Sequence, residues 1–232
     1  TYLTNLTIKT KINTTLDLLE IFNFSNAKYK LWVKDKFVSF SPECFIEIND
    51  HQISTYPMKG THKLLADESP EILLSNPKEN AEHLTIVDLL RNDLSMVANK
   101  VKVNHFKYLD QLMTNHGIIV QMSSKISGEL KEKYFNRYGT LLDLILPAGS
   151  ISGAPKDKTL EIIQESEDYD RGFYTGIFGT LCNGNLDSGI LIRYIEEDNQ
   201  EFFFKSGGGI TFNSDPILEY KEYMNKIYVP IF

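Results

Sequence analysis

Cysteine is nearly absent from this chain. There are two, Cys44 and Cys182, far apart and each in an apolar segment. That excludes a disulfide framework and a Cys-rich zinc site, and it fits buried thiols in a reducing compartment, the cytoplasm. No apolar run approaches the ~20 residues of a spanning helix. No secretory signal pattern is visible either, so no membrane partner is expected. Positive charge is in deficit: 24 Lys+Arg against 31 Asp+Glu give a net charge of -7. With no basic stripe interleaved with aromatics, nucleic acid is not expected as a partner. Internal repeats, low-complexity segments and a clear linker are all missing. So is the Gly-x-Cys-x-Gly elbow of a glutaminase.

What is present is a chain of 232 residues, 42% hydrophobic and 12% aromatic, enough for a substantial core. Its periodicities predict one α+β domain over residues 1–232, rich in antiparallel strands. Strands are expected at 2–9, 29–33, 36–40, 45–48, 100–108, 117–126, 177–182, 188–195 and 202–204. Helices are expected at 15–23, 78–98, 130–146, from Lys156 onward and at 216–228. Asn183-Gly184-Asn185 marks a tight hairpin. The first residue, Thr1, stands inside a strand-like segment, so the chain is expected to begin partway through a longer protein and to lack N-terminal strands.

Tyr56-Pro57-Met58-Lys59-Gly60-Thr61 is the most distinctive stretch. Pro57 fixes φ and Gly60 admits backbone shapes that other residues resist, so the segment presents Lys59 from a rigid turn. A lysine so held acts as a nucleophile once its surroundings disfavour the charge. Glu43 sits at an earlier turn. Two Glu-x-x-Glu pairs, Glu79/Glu82 and Glu219/Glu222, each put two carboxylates on one helix face. Such carboxylates complement a helix dipole or, facing each other without Cys or His, hold a hard ion, with Mg²⁺ the first choice. Arg193, placed in mid-strand, is either paired with an acidic side chain or waits for an anionic ligand. Ser206-Gly207-Gly208-Gly209 reads as a nest of backbone N–H groups or as a glycine-rich bend. Pro147–Lys156 opens a helix, with Pro155 at its first position and Ser152 or Gly153 as cap. Pattern alone thus gives a Mg²⁺-dependent enzyme acting on a small carboxylate.

Ser41–Phe45, Pro57–Thr61, Ala81-Glu82-His83 with Val87–Asp93, Pro147–Lys156 and Gly207–Ile210 with Asp215-Pro216 occur in this order. In this the chain resembles the chorismate-utilising enzymes, and most closely their aminodeoxychorismate synthase component I branch. The resemblance implies two large antiparallel sheets packed face to face with helices outside, chorismate as substrate and Mg²⁺ as cofactor. It implies Glu82 and Glu222 as direct metal ligands, with Glu79 and Glu219 holding metal waters. Arg193 and Tyr174 match groups on the enolpyruvyl carboxylate, and the amides around Gly208 and Gly209 match a carboxylate cradle. Thr61 and Lys205 join them as substrate-binding candidates. Lys59 marks the branch, as the covalent nucleophile with Glu43 as proton donor; anthranilate synthases resemble this motif with alanine there. The water-activating lysine of isochorismate synthases, near Leu3, has no counterpart. Gln121 stands where many relatives have histidine. Ammonia is expected from a separate glutamine amidotransferase subunit. The alternatives are anthranilate synthase component I, a non-catalytic chorismate-binding relative and an unrelated Mg²⁺ hydrolase.

Overall fold

The computed structural model describes residues 2–64, 68–114 and 117–229, with backbone alone for Thr61, Lys63 and residues 112–114 and 117–119. The described residues form two antiparallel sheets and their helices, the α+β architecture expected from the periodicities. The chain divides into two compact units, residues 1–43, 151–178 and 189–232, and residues 44–150 and 179–188.

The first unit is built on a six-stranded sheet in the order Tyr29–Val33, Phe37–Ser41, Tyr194–Asp198, Glu201–Ile210, Leu3–Ile12 and Gly153–Ala154. Asp35, at φ 55, turns the first hairpin. Helix Leu18–Phe24 starts at Asp17, whose carboxylate accepts the Glu20 N–H while Glu20 reaches back to the Asp17 N–H. This capping box fixes the start of a short helix. Leu18 and Ile21 then bury against Val38, Phe40, Ile195 and Phe204. A second cluster gathers Phe37, Tyr174, Leu191 and Tyr194.

The second unit holds a seven-stranded sheet. Its path runs Ile177–Cys182, Asn185–Ile190, Cys44–Asn49, Gln52–Thr55, Gly117–Leu130 and Met58–Lys63, and Ala98–Thr114 also pairs with Gly117–Leu130. The Asn183-Gly184 hairpin forms as expected, with both residues at positive φ. The three-and-four spacing of Leu84, Val87, Leu90, Leu94 and Val97 predicts the buried face of helix Pro77–Val97 except at Leu84, which is 51% exposed; Ile86 is buried with the other four. No helix among the described residues is long and apolar enough to cross a membrane.

Five local expectations are corrected. The 130–146 segment is not one helix: a single 3-10 turn at Glu132–Tyr134 precedes Tyr138–Ile145, and Asn136 at φ 58 breaks the path between them. The 147–156 loop contains a helical turn at Gly149–Ser152 and the short strand Gly153–Ala154. Pro155 is consequently the N-cap of Lys156–Ser166, not its first residue. The strand expected at 188–195 is two strands, ending at Ile190 and restarting at Tyr194. Arg193 lies in the link between them at φ 51. Gly207–Gly209 continue strand Glu201–Ile210, opposite Thr7, Leu6 and Asn5. None of the three has the positive φ that a nest requires, so the run forms neither a nest nor a bend.

Candidate active site

Lys59 lies on strand Met58–Lys63, where the register against Gly117–Leu130 shifts between Lys59 and Thr61. Gly60 is the extra residue of this bulge, at φ +76. Bulges re-aim side chains, and this one requires glycine. A Cβ at Gly60 would also lie 3.1 Å from Glu79 Oε2. Lys59 Nζ is 3.9 Å from Glu82 Oε2, and the two side chains keep only 16% and 11% of their exposure. Lys78 Nζ lies 3.8 Å from the other Glu82 oxygen. Within the second unit the bulge therefore sets the Lys59 amine beside Glu82 and the Gly60 backbone beside Glu79, two carboxylates on one helix face. The side chain of Thr61 lies outside the described residues. Gln121, opposite Thr61 in the ladder, is buried.

His83 is next to Glu82 on helix Pro77–Val97. It is fully buried, and its Nε2 lies 2.7 Å from Ser124 Oγ. Burial, then the charges of Lys107 and Lys59, push its pKa down to about 4, so the imidazole is neutral.

In the first unit, Arg193 Cζ sits 5.3 Å from the centre of the Tyr228 ring. Its buried Nε has no hydrogen-bond partner among the described residues. A guanidinium held by an aromatic face and keeping a donor in reserve suits an anionic ligand. Tyr174 is buried against Tyr194, and burial raises its pKa, so it stays a neutral phenol. Glu43 occupies the break between two strands, its N–H donating to Ser41 Oγ and its carbonyl accepting from Ile190.

The glycine strand is shaped by helix Pro216–Asn225. A Cβ on Gly208 would come within 2.4 Å of Tyr223 Cε1. Tyr223 donates to the Gly208 carbonyl at 3.2 Å and Lys226 to the Gly207 carbonyl at 2.9 Å. These glycines let a helix approach closely. Pairing with Tyr194–Asp198 stops at Lys205, so among the described residues Ser206–Ile210 have a strand partner on one edge only. Only alternate amides of this run face the other edge. Glu219 is buried, whereas Glu222 is 42% exposed and paired with Lys226 at 2.7 Å. Lys205 is committed elsewhere: it pairs with Glu196 at 2.8 Å and donates to the carbonyls of Arg171 and Asp170. Its three N–H groups are thereby used, and it braces the 170–171 turn.

Both glutamate pairs offer hard oxygen donors, right for a Mg²⁺ ion that keeps most of its waters and takes one or two carboxylates. No group of three or more His, Cys, Asp or Glu able to hold a metal by protein atoms alone gathers among the described residues.

Residues 1–231 match the family model of the chorismate binding enzymes. The chain belongs to that family. A Haemophilus influenzae protein named "uncharacterized PabA-like protein" is 52% identical over 99% of this chain and 70% of its own length. Anthranilate synthase component 1 of Pseudomonas aeruginosa is 37% identical, over 82% of this chain and 39% of its own length. Aminodeoxychorismate synthase component 1 of Klebsiella aerogenes is 35% identical, over 82% and 43%. The crystal structure of anthranilate synthase component I from Streptococcus pneumoniae superposes with a TM-score of 0.81 at 29% identity, covering 97% of this chain and 52% of that one. The chain thus has the fold of the chorismate-binding enzymes and spans about half the length of that solved relative. The two synthase relatives lie too close in identity for identity to choose between their reactions.

Proposed function

We propose that this chain carries the catalytic part of an aminodeoxychorismate synthase component I. It exchanges the C4 hydroxyl of chorismate for ammonia, giving 4-amino-4-deoxychorismate on the route to 4-aminobenzoate and folate in the cytoplasm. The observation that carries this reading is Lys59, presented from a glycine bulge and shielded beside Glu82. Anthranilate synthases resemble the motif with alanine in that place.

Glu79, Glu82, Glu219 and Glu222 would hold Mg²⁺, which supplies positive charge to the ring carboxylate. The other roles belong to the chain itself. Arg193 and the neutral Tyr174 hold the enolpyruvyl carboxylate. The Lys59 amine forms a bond to ring C2 as the C4 hydroxyl leaves as water, taking its proton from Glu43. Ammonia then bonds to C4, the Lys59–C2 bond breaks, and the proton lost by the incoming amine returns to Glu43. Ammonia is assigned to a glutamine amidotransferase subunit, the kind of partner that the PabA-like names of two relatives suggest.

The second reading is anthranilate synthase component I, since a protein of that name from Pseudomonas aeruginosa is 37% identical to this chain. Mass spectrometry of the product from chorismate, ammonium and Mg²⁺ separates the two. Aminodeoxychorismate supports the proposal, and anthranilate overturns it while leaving the family intact.

A further inference from the structure

Asn80 and His83 stand three apart near the start of helix Pro77–Val97 and therefore share a face. Lys107, on strand Ala98–Thr114, has φ 54 and lies where the register against Gly117–Leu130 shifts between His105 and Tyr108. Its N–H is turned to Ser124 Oγ at 3.0 Å, and its Nζ donates to Asn80 Oδ1 at 2.6 Å. Ser124 Oγ, which accepts that N–H, also lies 2.7 Å from His83 Nε2, and the hydroxyl can donate and accept at once. The Ser124 backbone N–H donates to the Pro57 carbonyl at 3.0 Å, two residues before Lys59. One end of the network thus adjoins Glu82 in sequence, and the other holds the segment that leads into Lys59.

Two simpler explanations for a histidine here do not hold. Ser124 and His83 both have 0% exposure, so no substrate reaches them and they are not a hydrolytic dyad. Nor does stability account for the choice. His83 Nδ1 is buried without a hydrogen-bond partner among the described residues, a cost that an apolar residue would avoid.

We propose that His83 is a positioning residue: with Asn80, Lys107 and Ser124 it forms a buried polar clamp that sets the separation of Lys59 and Glu82. The inference rests on Lys59 as the reacting group of the chorismate reading, but its test uses no chorismate. A zero-length carbodiimide joins an amine to a carboxylate only when the two touch. The yield of the Lys59–Glu82 cross-link is measured by peptide mass spectrometry against the exposed pair Lys100–Glu129, 2.9 Å apart, in the same sample. His83→Leu, with its fold checked by circular dichroism, is expected to lower the relative yield about threefold, the scale of coupling within one hydrogen-bond network. His83→Gln, whose amide reaches the place of Nε2, is expected to restore it. Ser124→Ala cuts the same link from the other side and is expected to match His83→Leu; it supplies the reading if that variant does not fold. An unchanged yield in a folded His83→Leu or Ser124→Ala protein overturns the clamp, as does a His83→Gln yield no higher than that of His83→Leu. Absence of chorismate turnover in the parent protein would sink the proposed reaction and leave this result standing.

Discussion

Helices Pro77–Val97 and Pro216–Asn225 begin alike and end up in different surroundings. Each has proline in its first turn and an Asn or Asp cap, Asn76 or Asp215, whose side chain accepts two backbone N–H groups. Each carries Glu-x-x-Glu. Relative to the proline, the second pair starts one residue later, a rotation of about 100° around the helix. In the first helix the inner glutamate, Glu82, meets Lys59 and Lys78. In the second the outer glutamate, Glu219, is the buried one, and Glu222 turns to Lys226 on its own helix. One pair therefore sits beside a candidate nucleophile and the other beside a packed glycine strand. Equal spacing sets which side chains share a face, and the opposing strand sets what those side chains do.

The largest effect is expected where only the first helix has a chemical partner. Lys59→Ala should lower aminodeoxychorismate formation by about a hundredfold or more, the scale of removing a positioned reacting group. Turnover assays read it directly, and equal rates would remove the main distinction between the two helices. Next come the carboxylates. Glu82→Gln and Glu219→Gln should each weaken Mn²⁺ binding, followed by electron paramagnetic resonance, by about tenfold or more. Loss from one helix only would show that the other pair is structural.

Stability separates the two regions more finely. Gly208→Ala should cost about 1–3 kcal/mol in urea unfolding, because its Cβ would press on the Tyr223 ring at 2.4 Å. Gly60→Ala should cost about 1–2 kcal/mol, mostly backbone strain at φ +76. It should also reduce turnover by shifting Lys59, whereas any loss at Gly208 should follow stability. The smallest effects belong to the caps: Asn76→Ala and Asp215→Ala should each cost about 1 kcal/mol, and a large inequality between them would show that one helix end is held by packing instead.

Much of the first helix was legible because its apolar residues recur at three and four and Pro77 marks its start. The Asn183-Gly184 hairpin was legible for a similar reason, since few other dipeptides accept two positive φ values in succession. The Lys59 turn was visible as Pro and Gly around one lysine, but its bulge depends on register with Gln121 and Met122, far along the chain. The His83–Ser124–Lys107 network was invisible for the same reason: its members come from a helix and two strands, and no local pattern links them. Arg193 was misplaced because Ile192 and Tyr194 imitate a strand, while its positive φ leaves no trace in residue type. The glycine run misled because glycine serves equally for anion approach and for helix packing, and only the Tyr223 ring decides between them.

The central claim is a covalent bond between Lys59 and the ring of the substrate. The direct measurement incubates the protein with chorismate and Mg²⁺ without ammonia, quenches it, and maps the peptides by mass spectrometry. The expected result is chorismate less water on the peptide containing Lys59, disappearing when ammonium is added as aminodeoxychorismate forms. Aminodeoxychorismate formed with no such adduct, and at an equal rate by Lys59→Ala, would contradict it.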